Sequence, residues 1–292
     1  MKIKTLIIIM LAYGLLVGGF YTYLKSSQLQ EPLFLTHYYE KEYFQSTVDY
    51  IPLYYITNQD EHFQLVSVES EALPGQMIFV DHDSITHREG IYNQHEAIIS
   101  IDGLQEEITL DKLTFNFSNG TAIEGDIGTI KLSPMNQQNP EDLVVDFTTS
   151  GSSNAGESYS VGNVQKDSEL TEISMSFPEV LSPVLKLAAE TSGRAYNSGN
   201  HEQLISSKEI ERAEDIALPI KVNSSDALKI NALVDKSLMY KNHIHAIEAD
   251  VRGVFQMGDD EVEQRMLRIT EQPYLTSKQI KELKKSREEG EQ

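Results

Sequence analysis

From Thr5 to Leu24 twenty consecutive positions carry no charge, and most are apolar. Nowhere else does the chain keep an uncharged apolar stretch of that length. A helix rises about 1.5 Å per residue, so roughly 20 apolar residues cross the roughly 30 Å hydrocarbon core of a bilayer. The pattern therefore predicts a transmembrane signal-anchor helix over 5–24. Lys2 and Lys4 precede the run and only Lys25 follows closely, which leaves 1–4 as a cytoplasmic stub and the bulk of the chain outside. Phe20, Tyr21 and Tyr23 fall where an aromatic belt sits, at the far interface. A cleaved leader is the rival reading, with Leu6 to Leu16 as apolar core and Val17-Gly18-Gly19 as cleavage site. The spacing Gly14-x-x-x-Gly18 would allow helix self-association if the segment stays.

Beyond Leu24 the apolar residues come in short bursts. Residues 25–45 are polar and tyrosine-rich and read as a juxtamembrane stalk. From 46 to 134 the period is two, as in half-buried strands. Leu113, Phe115 and Phe117 alternate with Lys112, Thr114 and Asn116, and Asn119-Gly120 then marks a hairpin. The return strand is predicted over 121–132, with Gly125 and Gly128 as bulges. Other strands are predicted over 49–56, 63–69, 76–81 and 97–102. Residues 133–140 (SPMNQQNP) read as a linker. A second β-rich region spans 140–275, with a Gly/Ser loop over 150–160 and strands around Ile173, over 228–234, 243–255 and 266–271. Ser182-Pro183 followed by VLKLAAETS and Gly193 predicts a helix over 183–192. Ser206 with Glu209 predicts another near 207–217. The last stretch, 276–292, reads as a charged helical tail in solvent, with only Ile280 and Leu283 apolar. The fold class expected is mainly β: an antiparallel β-sandwich-like extracytoplasmic region of one or two sheets, with short inserted helices and an N-terminal tether.

Composition narrows the partners. The formal charge is −21, and the first 30 residues hold three of the 24 basic groups and none of the 45 acids, so the remainder carries −24. Such a surface repels phosphate backbones and excludes nucleic acid as a partner. Cysteine is absent. That removes disulfides, thiolate metal sites and cysteine nucleophiles, and suits a Gram-positive-like envelope.

Three clusters offer chemistry. His243 and His245 stand two apart in a predicted strand, where residues i and i+2 share a face. Two imidazoles side by side form a metal edge, with Glu248 or Asp250 as a third ligand for a divalent ion. The plainer reading is a pair of ordinary strand histidines. Asp81, His82 and Asp83, with His87 and His95 near in sequence, make a second polar cluster at a predicted sheet end. Asp259, Asp260, Glu261 and Glu263 form an acidic turn, where self-repulsion outweighs calcium binding. Gly151-Ser152-Ser153-Asn154-Ala155 only grazes a nucleophile elbow, and no Ser precedes a Lys by three. No known family is recognisable in these residues.

The reading that follows is a membrane-anchored accessory or binding protein of a bacterial envelope, facing an envelope or membrane protein partner, with no cofactor. The alternative is an envelope hydrolase or metal-binding enzyme built on the His/Asp clusters.

Overall fold

A computed structural model describes residues 3–135, 142–193 and 216–290. The chain is mainly β with mixed sheets. It opens on α1 (Ile3–Ser27), whose Met10, Leu11, Leu15, Leu16 and Phe20 stand exposed. Among the described residues no helix is long and apolar enough to cross a membrane.

The stretch expected as a stalk is instead central to the fold. After β1 (Leu33–Phe34), β2 (His37–Tyr43) is flanked by parallel partners on both sides, β8 (Ala122–Pro134) and β15 (Ala246–Met257). Its residues alternate between buried and half-buried. His37, Tyr39 and Tyr43 are buried, Tyr39 and Tyr43 in one hydrophobic core, while Tyr38 packs against another. Tyr39 and Tyr43 of the expected stalk are thus core residues, because the β2 strand is paired on two edges and faces both cores, while Phe44 just beyond it is exposed.

From β2 the twelve-stranded sheet continues in both directions. One arm runs through β8 and β7 (Ile108–Phe117) to β4 (Leu65–Glu69), β5 (Ile78–Glu89), β6 (Tyr92–Asp102), β3 (Thr47–Asn58) and β1. The other runs through β15 to β11 (Ser168–Met175) and β13 (Ile220–Val222), while β16 (Asp260–Glu271) pairs the opposite edge of β15. Asn119-Gly120 makes the β7–β8 hairpin, with Gly120 at φ 83°. Of the two glycines expected at bulges, Gly128 lies in the irregular part of β8, at φ 82° against the His37 backbone. Gly125 keeps register opposite Leu113; its hydrogen makes room for the Phe34 ring, whose nearest carbon sits 2.5 Å from where a Cβ would be.

A second, four-stranded sheet is ordered β12 (Leu185–Ser192), β14 (Ala227–Val234), β10 (Glu157–Val164), β9 (Val145–Ser152). Here two expectations fail. The Gly/Ser stretch over 150–160 is the β9–β10 hairpin, turning at Ser153–Gly156. Residues 183–192 are not helical: α2 is only Pro178–Leu181, Ser182 closes it, and LKLAAETS lies in antiparallel register with β14 from Leu185↔Val234 to Ser192↔Ala227. Helix propensity differs among these residues by less than about 1 kcal/mol each, and a full ladder with buried Leu185 and Leu187 outweighs it. The helix expected near 207–217 and most of the linker lie outside the described residues.

The C-terminal segment is also corrected. In α4 (Ser277–Gly290) Ile280 and Leu283 are buried in the same core as β1 through β8. A reciprocal Thr276–Gln279 pair caps its start: the Gln279 side chain accepts from the Thr276 N–H (2.9 Å) and hydroxyl (2.8 Å). Two apolar positions one turn apart suffice when the whole stripe is covered. Residues flanking that stripe of α4 hold the end of α1. Lys281 donates to the Tyr23 hydroxyl at 2.8 Å, and Lys284 donates to the Ser26 and Gln28 carbonyls at 2.8 and 3.0 Å.

Candidate functional site

The histidine pair is separated rather than aligned. Helix α3 (Lys236–Lys241) is capped by Asp235, whose carboxylate accepts from Leu238 N–H at 3.0 Å, and it ends at Asn242. His243 then takes a left-handed φ of 56°, and the β15 strand begins only at Ala246. His243 is exposed while His245 is buried. The period-two argument fails here because the residues precede the strand.

His245 is locked from behind. Its Nδ1 accepts the Thr36 backbone N–H at 3.1 Å, and the Thr36 hydroxyl lies 2.8 Å from the same nitrogen and bonds the His243 carbonyl. The ring proton therefore sits on Nε2. His37, from the misread stalk, is engaged at both nitrogens: Nε2 accepts Tyr54 N–H at 2.9 Å, and Nδ1–H donates to the Ile127 carbonyl at 3.1 Å. Burial pushes His37 down to about 4, against the Ile127 bond that favours its charged form. Burial first, then its neighbours His37, His243 and Arg287, push His245 down to about 3. Both rings are neutral at neutral pH. The proposed third ligands are spent elsewhere: Glu248 pairs with Lys41 at 2.5 Å, and Asp250 with Arg268. Among the described residues no group of three or more His, Cys, Asp or Glu could hold a metal ion.

Asp81, His82 and Asp83 lie not at a sheet end but inside the β5 strand, where the register shifts between Val80 and His82. The shift leaves Asp81 and His82 exposed and turns Asp83 inward. Asp83 Oδ2 accepts from the Tyr55 hydroxyl and from Leu65 N–H, both at 2.8 Å. Its Oδ1 faces His95 Nδ1 at 3.4 Å, a charge contact longer than a good hydrogen bond. His95 Nε2 meets the Thr57 hydroxyl at 3.0 Å, and the Tyr55 ring stacks on the imidazole at 4.5 Å. Burial would raise the Asp83 carboxyl, but the contacts from His95, Leu65 and Tyr55 together hold it below the usual range. Burial, and then the Asp83 charge, push the Tyr55 phenol well up. Of the sequence cluster, only Asp83 and His95 meet; His82 takes no part, and His87 stacks near Tyr274 at 4.2 Å.

A third constellation escaped sequence reasoning. Asp250 is fully buried in the β15 strand, and Arg268 of β16 grips it with Nε–Oδ1 at 2.8 Å and Nη2–Oδ2 at 3.1 Å. Arg252 and Arg265 each reach Oδ2 at 3.4 Å and extend to Glu40 at 2.5 Å and Glu42 at 3.3 Å. Three guanidiniums and one inner carboxylate thus bind β2, β15 and β16 together. The only signal was same-parity charge in strands (Glu248, Asp250, Arg252), which any solvated face also shows.

Two of the clefts on the surface of the described residues border these groups. One, of about 390 Å³, lies between α3 and α4 and is lined by Tyr240, Lys241, His243, His245, Gln279 and Glu282 among others. The other, about 430 Å³, separates the edge strands β9 and β16 beside Arg265 and Arg268.

No family model matches the chain, and no curated protein matches it. A secreted serine protease, VesC from Vibrio cholerae, shares 11% identity over 73% of this chain at a TM-score of 0.25; the chain spans 48% of that protease's length. A protein of unknown function from Porphyromonas gingivalis W83 shares 13% identity over 84% of this chain and 94% of its own, at a TM-score of 0.20. Likenesses this low carry no argument about fold or function.

Proposed function

We propose that the chain is a membrane-anchored extracytoplasmic accessory or binding protein of a Gram-positive-like bacterial envelope, presenting its β-rich body to another envelope component. The observation that carries this reading is the charge-free run Thr5–Leu24, flanked by Lys4 and Lys25. Two further observations support it. Apolar side chains of α1 from Met10 to Phe20 stand exposed rather than packed on the sheets. Helix α4 also braces the last turn of α1 through Lys281 and Lys284, so the tether would leave the body at a set angle. Wash of membranes from cells making the full chain with alkaline carbonate tests this. The protein is expected to stay in the pellet and to leave it when residues 5–24 are replaced by a polar linker. Release of the full chain by carbonate would sink the reading.

One observation favours the hydrolase alternative. Thr57, His95 and Asp83 line up as hydroxyl, imidazole and carboxylate, the order of a nucleophilic relay. Against it stands burial: Thr57 is 1% exposed, and a nucleophile must meet its substrate. Hydrolysis of a small activated ester by the purified chain, abolished by His95→Gln with the fold intact, would revive this reading.

A further inference from the structure

The cleft between α3 and α4 presents several hydrogen-bond donors. At its floor His245, 3% exposed, points a protonated Nε2 that makes no hydrogen bond among the described residues. Gln279 also lines it; its carbonyl oxygen is taken by Thr276, which leaves the amide NH₂ to donate. Lys241 and His243 stand exposed at the rim. The Tyr240 hydroxyl is engaged with Tyr274, accepting its N–H at 3.1 Å, so the tyrosine and Leu275 and Leu283 act as walls. The lone acid of the lining, Glu282, is exposed and leans to Lys278 at 3.7 Å. Arg287 is a positive charge felt at His245.

We infer that this cleft binds a small oxyanion, the carboxylate or phosphate group of a solute, with His245 Nε2–H and the Gln279 amide as donors and Lys241 at its mouth. His245 Nε2–H is not sealed from solvent but faces the open cleft, where a ligand oxygen can replace water as its acceptor. Lone pairs are what a metal needs, and here the Nδ1 lone pair is occupied and Nε2 carries the proton, so the donor set suits an anion rather than the divalent ion expected from His243 and His245. The volume of about 390 Å³ falls within the roughly 300–1,000 Å³ of small-molecule sites. The inference does not depend on the tether.

The full chain, labelled at histidine and held in neutral detergent, is titrated with inorganic phosphate and separately with acetate, at ionic strength fixed with sodium chloride. The His245 Nε2 resonance is expected to move saturably with at least one of them. The His37 resonance, with both nitrogens engaged, stays put. Lys241→Ala with His243→Ala alters only exposed side chains and is expected to weaken binding about tenfold, the loss of roughly one charged contact. The arm that saturates at lower concentration tells phosphate from carboxylate. The proposal is overturned if His245 moves no more than His37, if chloride alone gives the same shift, or if the double variant binds as tightly as the parent.

Discussion

At the scale of residues, the buried histidines govern pH response. His37 falls to about 4 and His245 to about 3 in the folded chain, against about 6.5 for a free imidazole. Their folded pKa values are depressed, so the neutral form is the one folding favours. Stability from this source is fully present above the unfolded value and drains as pH falls from 6.5 toward 4, because the unfolded chain binds the protons first. Near pH 5 the loss is on the order of 2 kcal/mol per histidine. Urea unfolding at neutral pH and near pH 5 should show it, and the slope should roughly halve in His245→Gln; an unchanged slope would contradict the burial argument. Asp83 is a different case. Its partners hold it charged, so Asp83→Asn is expected to lose about 1–3 kcal/mol by leaving Tyr55, Leu65 and His95 with a poorer acceptor, read as a lower urea midpoint. Gly125→Ala pushes a methyl into the Phe34 ring and should lose about 1–3 kcal/mol in the same assay.

Among elements, α4 and β12 show how context overrules local signals. The tail of α4 is polar at most positions, yet Ile280 and Leu283 are 1% and 7% exposed. Ile280→Ala with Leu283→Ala is expected to destabilise by roughly 4 kcal/mol, since each buried aliphatic truncation removes about 2 kcal/mol or more. It should also loosen the end of α1, measurable as faster amide exchange around Ser26 to Leu29; full retention of stability would return α4 to the role of a solvated tail. The β12 strand makes the opposite point. Its sequence suits a helix in isolation, and only β14, forty residues along, offers it a ladder. A wholly internal period-two stretch such as β7 needed no such help, because Leu113, Phe115 and Phe117 already mark the buried face.

For the molecule as a whole, the decisive feature is a sheet that forks at the β15 strand. Its first residues pair with β2 and its later ones with β11, while β16 accompanies nearly its full length. Asp250 sits at that fork with Arg252, Arg265 and Arg268 around it. Asp250→Asn would leave three guanidiniums facing a neutral amide in a buried place. We expect a loss on the order of 3–5 kcal/mol, with unfolding of the β2–β15 junction first, seen as early exchange of amides in His37–Tyr39 and Ala246–Glu248. A loss no larger than that of an exposed ion pair would mean the cluster is a surface ornament.

What the amino-acid order determines by itself is whatever depends on neighbours in sequence. Alternation in 113–117, the Asn119-Gly120 turn and the acidic turn at Asp259 and Asp260 read directly, because strand face and turn conformation are settled within a few residues. The apolar run at 5–24 belongs to the same class. What only the tertiary structure decided depends on partners far along the chain: that 37–43 is a central strand, that 185–192 is extended, that His95 and not His82 meets Asp83, and that His243 and His245 part company. A lone segment shows its own period but not the strand that will pair with it, nor the bulge that reverses its face. The candidate sites were therefore half legible. His245 and Asp83 stood out as chemistry, whereas Thr36, His37, Thr57 and Arg268, the residues that decide what those groups can do, arrive only when the sheets close.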